Sequence, residues 1–406
     1  MKDFIYFPSF SAGVYGAGAK NNWLLKNGST CRFYSSDFPE QFRYPYFLWP
    51  AGHFYKKKNI AEEWGFDKEP DAVLFGDSGG YQIASGAIKW DQKFKEVMLN
   101  WLEDSSTIAM NLDIPPRLQY NGKFDHCLEL SRENIKYFYE NRKGKVKFLN
   151  VIQGNDELSY KEWYNQVKEF EFEGWSIGGA GGSIYRFLSG ILAFLSGKEH
   201  LNPRNEYFHV LGTSKIIDFL IISQLQKSLN DVGSNVQVTT DSSSPNRSTV
   251  YGLIYCGYDL RTCSFRSLHF PKDIEHGSDR SNHTEKKLFK DNDFKLPVYN
   301  QFHEWLKDGY EYNDIKTWNN IGYMTSVLHN FYLFQDAIKE INYYINGEPY
   351  LMEQLLSKDT FLLLKLIDDL VKSDNPELVF AKNKPFILKA NSLYTEVDHS
   401  KSNDFF

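Results

Sequence analysis

The feature that most constrains this chain is a recurrence of short apolar runs, each ending in glycine or a polar residue and each followed by a longer stretch with helical spacing. The runs are Ala72-Val73-Leu74-Phe75 before Gly76-Asp77, Thr107-Ile108-Ala109-Met110 before Asn111-Leu112-Asp113, and Val146-Lys147-Phe148-Leu149 leading through Val151-Ile152 to Gln153. They continue with Trp175-Ser176-Ile177 before Gly178-Gly179, Phe208-His209-Val210-Leu211 before Gly212, and Val236-Gln237-Val238-Thr239 before Thr240-Asp241. The run ends at 77, 113, 153, 178, 212 and 241 are spaced by about one βα unit each time. Between them, Asp91 to Leu102, Asp125 to Tyr139, Tyr160 to Phe172 and Ser214 to Leu229 carry apolar residues at helical intervals. Alternating strands and helices imply an α/β fold with a parallel sheet, either closed as a barrel or open and doubly wound. Polar residues at the C-terminal ends of many successive strands favour the barrel, where that face gathers loops from every strand into one site.

With 406 residues the chain fits one large barrel with extensions as well as it fits two domains. Beyond Asp241 the alternation weakens. A polar segment from about His269 to Lys295 reads as an insertion, and Pro271 and Gly277 prevent His269, His276 and His283 from sharing one metal-binding helix. Helical spacing returns from about Ser326 to Ile345, stopped by Gly347, and again from about Glu353 to Val371. Residues 1–268 are therefore read as the main part of the barrel, 269–325 as an insertion, and 326–406 as helices packed on it.

No run of about eighteen apolar residues occurs, and MKDFIYFPSF lacks a basic region followed by an apolar core, so the expectation is a cytoplasmic protein with no membrane partner. Four scattered cysteines, Cys31, Cys127, Cys256 and Cys263, form neither a disulfide framework nor a CxxC metal motif. A net charge of -6 argues against nonspecific coating of nucleic acid, and the local clusters Lys56-Lys57-Lys58 and Arg142, Lys143, Lys145, Lys147 read as solvated loops.

The chemistry sits at the strand ends, where Asp77, Asp113 and Asp241 are joined by Gln153. A single Asp after a strand ordinarily caps the next helix. Several on one barrel face would instead repel, separating their pKa values so that one carboxylate stays ionised while another holds a proton near neutrality. Such a pair suits an anomeric carbon: one carboxylate attacks C1′ and stores the sugar as an ester, and the other protonates the departing group. Where the leaving group is a purine, Asp can accept from N1–H and the 2-amino group while Gln serves the carbonyl side. Glycines at Gly79-Gly80, Gly178-Gly179 and Gly212 would let backbone amides approach a flat base.

These residues, in this order, resemble the tRNA-guanine transglycosylase superfamily. Asp77-Ser78-Gly79-Gly80-Tyr81-Gln82 closely resembles its DSGG(F/Y)Q signature. Val151-Ile152-Gln153-Gly154, Trp175-Ser176-Ile177-Gly178-Gly179 and Val210-Leu211-Gly212 are similar to its VQGG, AIGG and LMG segments. Thr240-Asp241-Ser242-Ser243-Ser244-Pro245-Asn246-Arg247 looks like its nucleophile segment, and the likeness returns at Leu328-His329-Asn330. The resemblance implies a (β/α)8 barrel with Asp241 as nucleophile and Asp77 as general acid and base. Asp113 and Gln153 would read the purine edge with Ser78 and Gly179 assisting, Tyr81 and Leu211 would sandwich the base, and Arg247 would contact nucleic acid. The implied reaction is a ping-pong pentosyl transfer in which guanine leaves and a free 7-deazaguanine, of the 7-cyano-7-deazaguanine type, enters without organic cofactor or ATP. The target nucleotide must first be flipped out of its stack, at a cost of a few kcal/mol.

The family's structural zinc is not expected, because His329 remains but the CxCxxC ligands are absent and Leu296-Pro297-Val298-Tyr299 supplies none. Residues 269–325 would then be a degenerate zinc subdomain. That loss favours the DNA-modifying branch of the superfamily over tRNA exchange of the queuosine or archaeosine type. Another alternative is a non-catalytic nucleic-acid-binding subunit, which has no need to keep Asp77 and Asp241. An accessory protein or a second copy of the chain is a further candidate partner.

Overall fold

The computed structural model describes residues 2–9, 12–20, 22–24, 30–38, 40–58, 60–269 and 320–395. Eight strands form one sheet: β1 (Ile5–Pro8), β2 (Tyr46–Pro50), β3 (Val73–Asp77), β4 (Ile108–Met110), β5 (Lys147–Gln153), β6 (Gly174–Gly178), β7 (Tyr207–Val210) and β8 (Gln237–Ser242). Their order is β1-β8-β7-β6-β5-β4-β3-β2, and every paired neighbour is parallel. A parallel bridge between Ser9 and Leu48 joins the two ends of the sheet. With helices outside and a sheet that returns on itself, the fold is a (β/α)8 TIM-type barrel.

The apolar runs read from the sequence correspond to β3 to β8. Strands β1 and β2 are not legible in the same way because each is short, aromatic and ended by proline, which a strand tolerates only where no ladder hydrogen bond is needed. Alternate side chains enter the barrel: Phe7, Leu48, Phe75, Ile108, Met110, Leu149 and Val151 pack as a core of their own. Their outward neighbours, among them Tyr6, Phe47, Phe148 and Ile152, belong to the larger core beneath the helices.

The helices up to β8 are α1 (Ala12–Lys20), α2 (Ala51–Phe54), α3 (Ile60–Trp64), α4 (Gly80–Ala84), α5 (Gln92–Ser105), α6 (Phe124–Asn141), α7 (Glu157–Val167), α8 (Ile184–Ser196) and α9 (Ile216–Asp231). The chain then forms α10 (Ser244–Val250) and an antiparallel hairpin, β9 (Leu253–Asp259) with β10 (Ser264–His269), in the stretch where the sequence alternation fades. Residues 270–319, which hold most of the expected insertion together with His276, His283 and Leu296 to Tyr299, lie outside the described residues. No helix among the described residues is long and apolar enough to cross a membrane.

After the insertion come α11 (Asn320–Asn346), α12 (Pro349–Leu355), α13 (Lys358–Lys372), α14 (Pro376–Ala390) and α15 (Ser392–Thr395). The single helix expected over Glu353 to Val371 is two, because Ser357 leaves helical geometry and its hydroxyl caps α13 by accepting from Thr360 N at 3.2 Å. These helices contact the barrel layer directly: Ser228 of α9 donates to Asp368 at 2.7 Å, and Lys384 pairs with Glu157 of α7.

His329 and Asn330 sit at the centre of this packing. His329 Nε2 lies 2.8 Å from the carbonyl of Tyr255, and burial pulls the imidazole down to about 4, so it is neutral and Nε2 carries the donated proton. Its role is that of a buried histidine tying α11 to β9. Asn330 accepts from Tyr255 N at 2.7 Å and donates to Pro245 O at 3.3 Å, Thr249 Oγ1 at 2.9 Å and Leu253 O at 3.0 Å. One amide thus fastens α11, α10 and β9 together. Asn330→Ala would leave several of these buried groups unpaired and should cost on the order of 3 kcal/mol. Urea unfolding checks this, and a loss under about 1 kcal/mol would contradict the bracing role.

Candidate active site

Strand parity delivers the chemistry to one end of the barrel. Asp77, Gln153 and Asp241 each stand two residues beyond an inward neighbour, namely Phe75, Val151 and Thr239, so they continue the inward row at the C-terminal ends of β3, β5 and β8. Leu211 does the same just past β7 and packs against the inner core. Asp113 arrives from the loop after β4, where Gln153 Nε2 donates to its Oδ2 at 2.7 Å. Asp241 and Asp113 both raise the proton affinity of Asp77 through space, which places all three carboxylates around one mouth.

None of the three caps the helix that follows it. The residue preceding α4 is Gly79, the one preceding α10 is Ser243, and neither helix receives a side-chain cap. True caps are found elsewhere, at Asp91, Asp156, Ser183, Ser357 and Asn375. The ordinary structural explanation for an aspartate after a strand does not apply here.

Asp77 and Asp241 each have one oxygen tied and one open. Asp77 Oδ1 accepts from Gly79 N at 3.2 Å, and Asp241 Oδ1 accepts from Gly212 N at 2.8 Å. His209 Nε2 also approaches Asp241 Oδ1, at 3.3 Å, while its Nδ1 lies 2.8 Å from Thr239 Oγ1. With Asp241 ionised this chain assigns the imidazole proton to Nε2 and leaves Nδ1 to accept from the threonine hydroxyl. His209 is fully buried and stacks on Phe75 at 4.4 Å, so it holds the carboxylate from inside the barrel. Among the described residues Asp77 Oδ2 and Asp241 Oδ2 accept no hydrogen bond, whereas the Asp113 carboxyl has its own backbone amide in addition to Gln153.

Burial pushes Asp77 up to about 7, with Asp241 and Asp113 adding to the rise against the Gly79 amide. Burial also raises Asp113, to about 6, opposed by the Gln153 hydrogen bond and by the nearby charge of Arg117. Such a mouth can hold a proton on Asp77 at neutral pH and hand it to a bound group.

The glycines make room for these side chains. A Cβ on Gly178 would lie 2.1 Å from Gln153 Nε2, and one on Gly80 would lie 2.3 Å from the Asp113 carbonyl oxygen. Gly79 and Gly179 also occupy the left-handed region, at φ 83 and 85. Ser78 is buried between Asp77 and Gly79. Tyr81, on the first turn of α4, is 58% exposed and leaves an aromatic ring unburied at the rim. Gly212 is exposed with open space on its Cα side, and Arg247 is exposed on α10, making no hydrogen bond to the carboxylates among the described residues.

Two site residues are not apparent from the sequence. His209 reads there as part of an apolar run, although a lone imidazole at an inward strand position is the available signal. Arg117 lies four positions past Asp113, after Pro115-Pro116, and the left-handed backbone of Leu118 (φ 53) marks the turn that follows it. Arg142, Lys143 and Lys147, by contrast, pair with Glu173, Glu103 and Glu206, so these members of that basic cluster are structural. His329 spends Nε2 on a carbonyl, and no group of three His, Cys, Asp or Glu that could hold a metal ion occurs among the described residues.

Because the fold raises the Asp77 pKa, it favours the protonated acid; that contribution is complete below the ordinary value of 3.8 and is lost as pH rises through about 7. Asp77→Asn removes the loss. The melting temperature of the variant relative to the parent should therefore improve between pH of about 4 and about 8, by roughly 2–4 °C for each kcal/mol involved. A pH-independent difference would remove the assigned shift. Compared with known proteins, the chain matches no protein-family model and no curated protein.

Proposed function

We propose that the protein is a guanine transglycosylase that exchanges guanine in DNA for a free 7-deazaguanine through a covalent aspartyl-sugar intermediate. The observation that carries this reading is the pair Asp77 and Asp241: both face inward at the barrel mouth, neither caps a helix, and each keeps one open oxygen. Asp241, oriented by Gly212 N and His209, attacks C1′ with Oδ2 as the bond to guanine breaks. Asp77 gives its proton to the departing base. In the second half, Asp77 takes a proton from the incoming base, whose nitrogen displaces Asp241 and restores the original configuration.

Asp113 and Gln153 supply the purine edge readers, their mutual bond holding both planar groups at the mouth. The Asp113 carboxyl accepts from an N1–H or 2-amino group, and the second amide hydrogen of Gln153 donates to the carbonyl side. Tyr81 and Leu211 bracket the base from the rim and from the barrel, with Ser78 and Gly179 lining the same end. DNA is preferred over tRNA because the cysteines of the superfamily's zinc subdomain are absent from this chain.

Labelled guanine offered with separate pools of duplex DNA, single-stranded DNA and tRNA tests the reading. Label entering only tRNA overturns the preference for DNA, and label entering none overturns the exchange. Asp241→Asn should abolish exchange while oligonucleotide binding persists, and Asp77→Ala should lower the rate about a hundred- to ten-thousand-fold. Because guanine release needs Asp77 protonated, its single-turnover rate without an acceptor base should fall as pH rises above about 7. Asp113→Ala should relax discrimination against adenine, and an unchanged preference would contradict its place at the purine edge.

A further inference from the structure

Four arginines of the described chain are matched with acids: Arg43 with Glu69 and Asp71, Arg132 with Glu169, Arg142 with Glu173, and Arg204 with Glu171. Arg117 and Arg186 differ. Among the described residues neither guanidinium has a salt bridge or a hydrogen bond, yet Arg117 is partly buried beside the mouth. Its Nη2 lies 2.8 Å from where a Cβ of Gly179 would stand, and Tyr160 Oη lies 3.1 Å from that same point. Tyr160 in turn donates to the Gly178 carbonyl at 2.5 Å, and both arginines act on its hydroxyl through space. Arg117 therefore stands at Gly178-Gly179 with its charge felt by Asp113, and the charge of Arg186 reaches both Arg117 and the Tyr160 hydroxyl.

The proximity of the two arginine charges is unfavourable in the absence of an anion. Burial lowers the proton affinity of Arg117, and the charge of Arg186 adds to that, offset by Tyr160, Asp113 and Tyr81. A partly desolvated guanidinium without a bonded acceptor is costly, and a tetrahedral oxyanion is a good match for its fork of donors. The start of α8 does not fill this role by itself. Two of its first amides are already engaged, Tyr185 N donating to Asn391 Oδ1 at 3.1 Å and Arg186 N to Ser183 Oγ at 3.3 Å. Binding an anion at this edge falls to the side chains. The glycine turn leaves space for it: Gly182, at φ 84, has nothing within 4 Å of where its Cβ would be.

We propose that Arg117 and Arg186 form an anion subsite that grips the phosphodiester adjoining the nucleotide whose base enters the mouth. The choice of a phosphodiester as the anion rests on the base-exchange reading of the same site. A phosphate held there fixes the backbone while the base rotates toward Asp113 and Gln153, and contributes affinity that offsets unstacking.

The test uses the full chain as parent, Arg117→Gln, Arg186→Gln and the double variant, with Arg117→Lys as a charge-retaining control and melting temperatures to verify folding. The probes are a short single-stranded deoxyoligonucleotide with one guanine and the same oligonucleotide carrying neutral methylphosphonates beside that guanine. Fluorescence anisotropy over a salt series should show the double variant binding the natural strand about tenfold or more weaker, with a log–log salt slope shallower by about 0.7 for each phosphate no longer neutralised. The parent should weaken as much on the methylphosphonate strand, and combining variant and neutral linkage should cost little more. Equal salt slopes for parent and double variant, or effects that simply add, overturn the subsite. Inorganic phosphate binding that needs both arginines while strand binding ignores them assigns the cations to a free anion and overturns it as well. Label exchange absent from the parent with the non-additive pattern intact would remove the transglycosylase reading and leave the phosphodiester grip standing.

Discussion

Each strand of the barrel can send only every second side chain inward, so a polar group reaches the mouth only if it stands in register with the apolar residues beneath it. Phe75 below Asp77, Val151 below Gln153 and Thr239 below Asp241 meet that condition. The packed interior of Phe7, Leu48, Phe75, Ile108, Met110, Leu149 and Val151 fills the barrel beneath the mouth, with His209 and Thr239 at its edge under Asp241. A slip of one residue in any of these strands would turn its carboxylate or amide into the helix layer, away from the donors that hold it at the mouth.

Gathering carboxylates at a poorly solvated mouth is unfavourable, and the structure distributes the burden unevenly. Asp241 receives a backbone amide and an imidazole; Asp113 receives an amide side chain and the nearby charge of Arg117; Asp77 receives one backbone amide and faces the other two acids. Asp77 is accordingly raised further than Asp113, to about 7 against about 6. The different proton affinities follow from burial together with which donors each residue was given. They require no difference in residue type.

Much of this was legible because it is local. Strands β3 to β8 announce themselves by apolar runs with polar ends, and Asp77, Asp113, Gln153 and Asp241 stand at or just past those ends. What was hidden depends on partners distant in the chain. His209 becomes a support for Asp241 only because β7 pairs with β8 and sets His209 opposite Thr239. Arg117 matters through Gly179, and their proximity needs the loop after β4 to meet the turn after β6. The division between α12 and α13 turned on a serine cap inside an otherwise periodic stretch, where side-chain hydrogen bonding outcompeted helical propensity.

The C-terminal helices bear on the mouth as well as on the barrel wall. Asn330 of α11 bonds Pro245 O and Thr249 in α10, the helix that directly follows Asp241. Asn391, at the end of α14, accepts from Ser183 Oγ at 3.2 Å and Tyr185 N at 3.1 Å, holding the start of α8 that follows Gly178-Gly179. Two asparagines from the last part of the chain therefore fix two of the loops that shape the site. Loops at a barrel mouth are where backbone order is weakest, because they lie beyond the ladder that stabilises the strands. Anchoring them from α11 and α14 lets Asp241 and the glycine turn keep their geometry without an additional strand, and makes the helical extension part of the site's architecture.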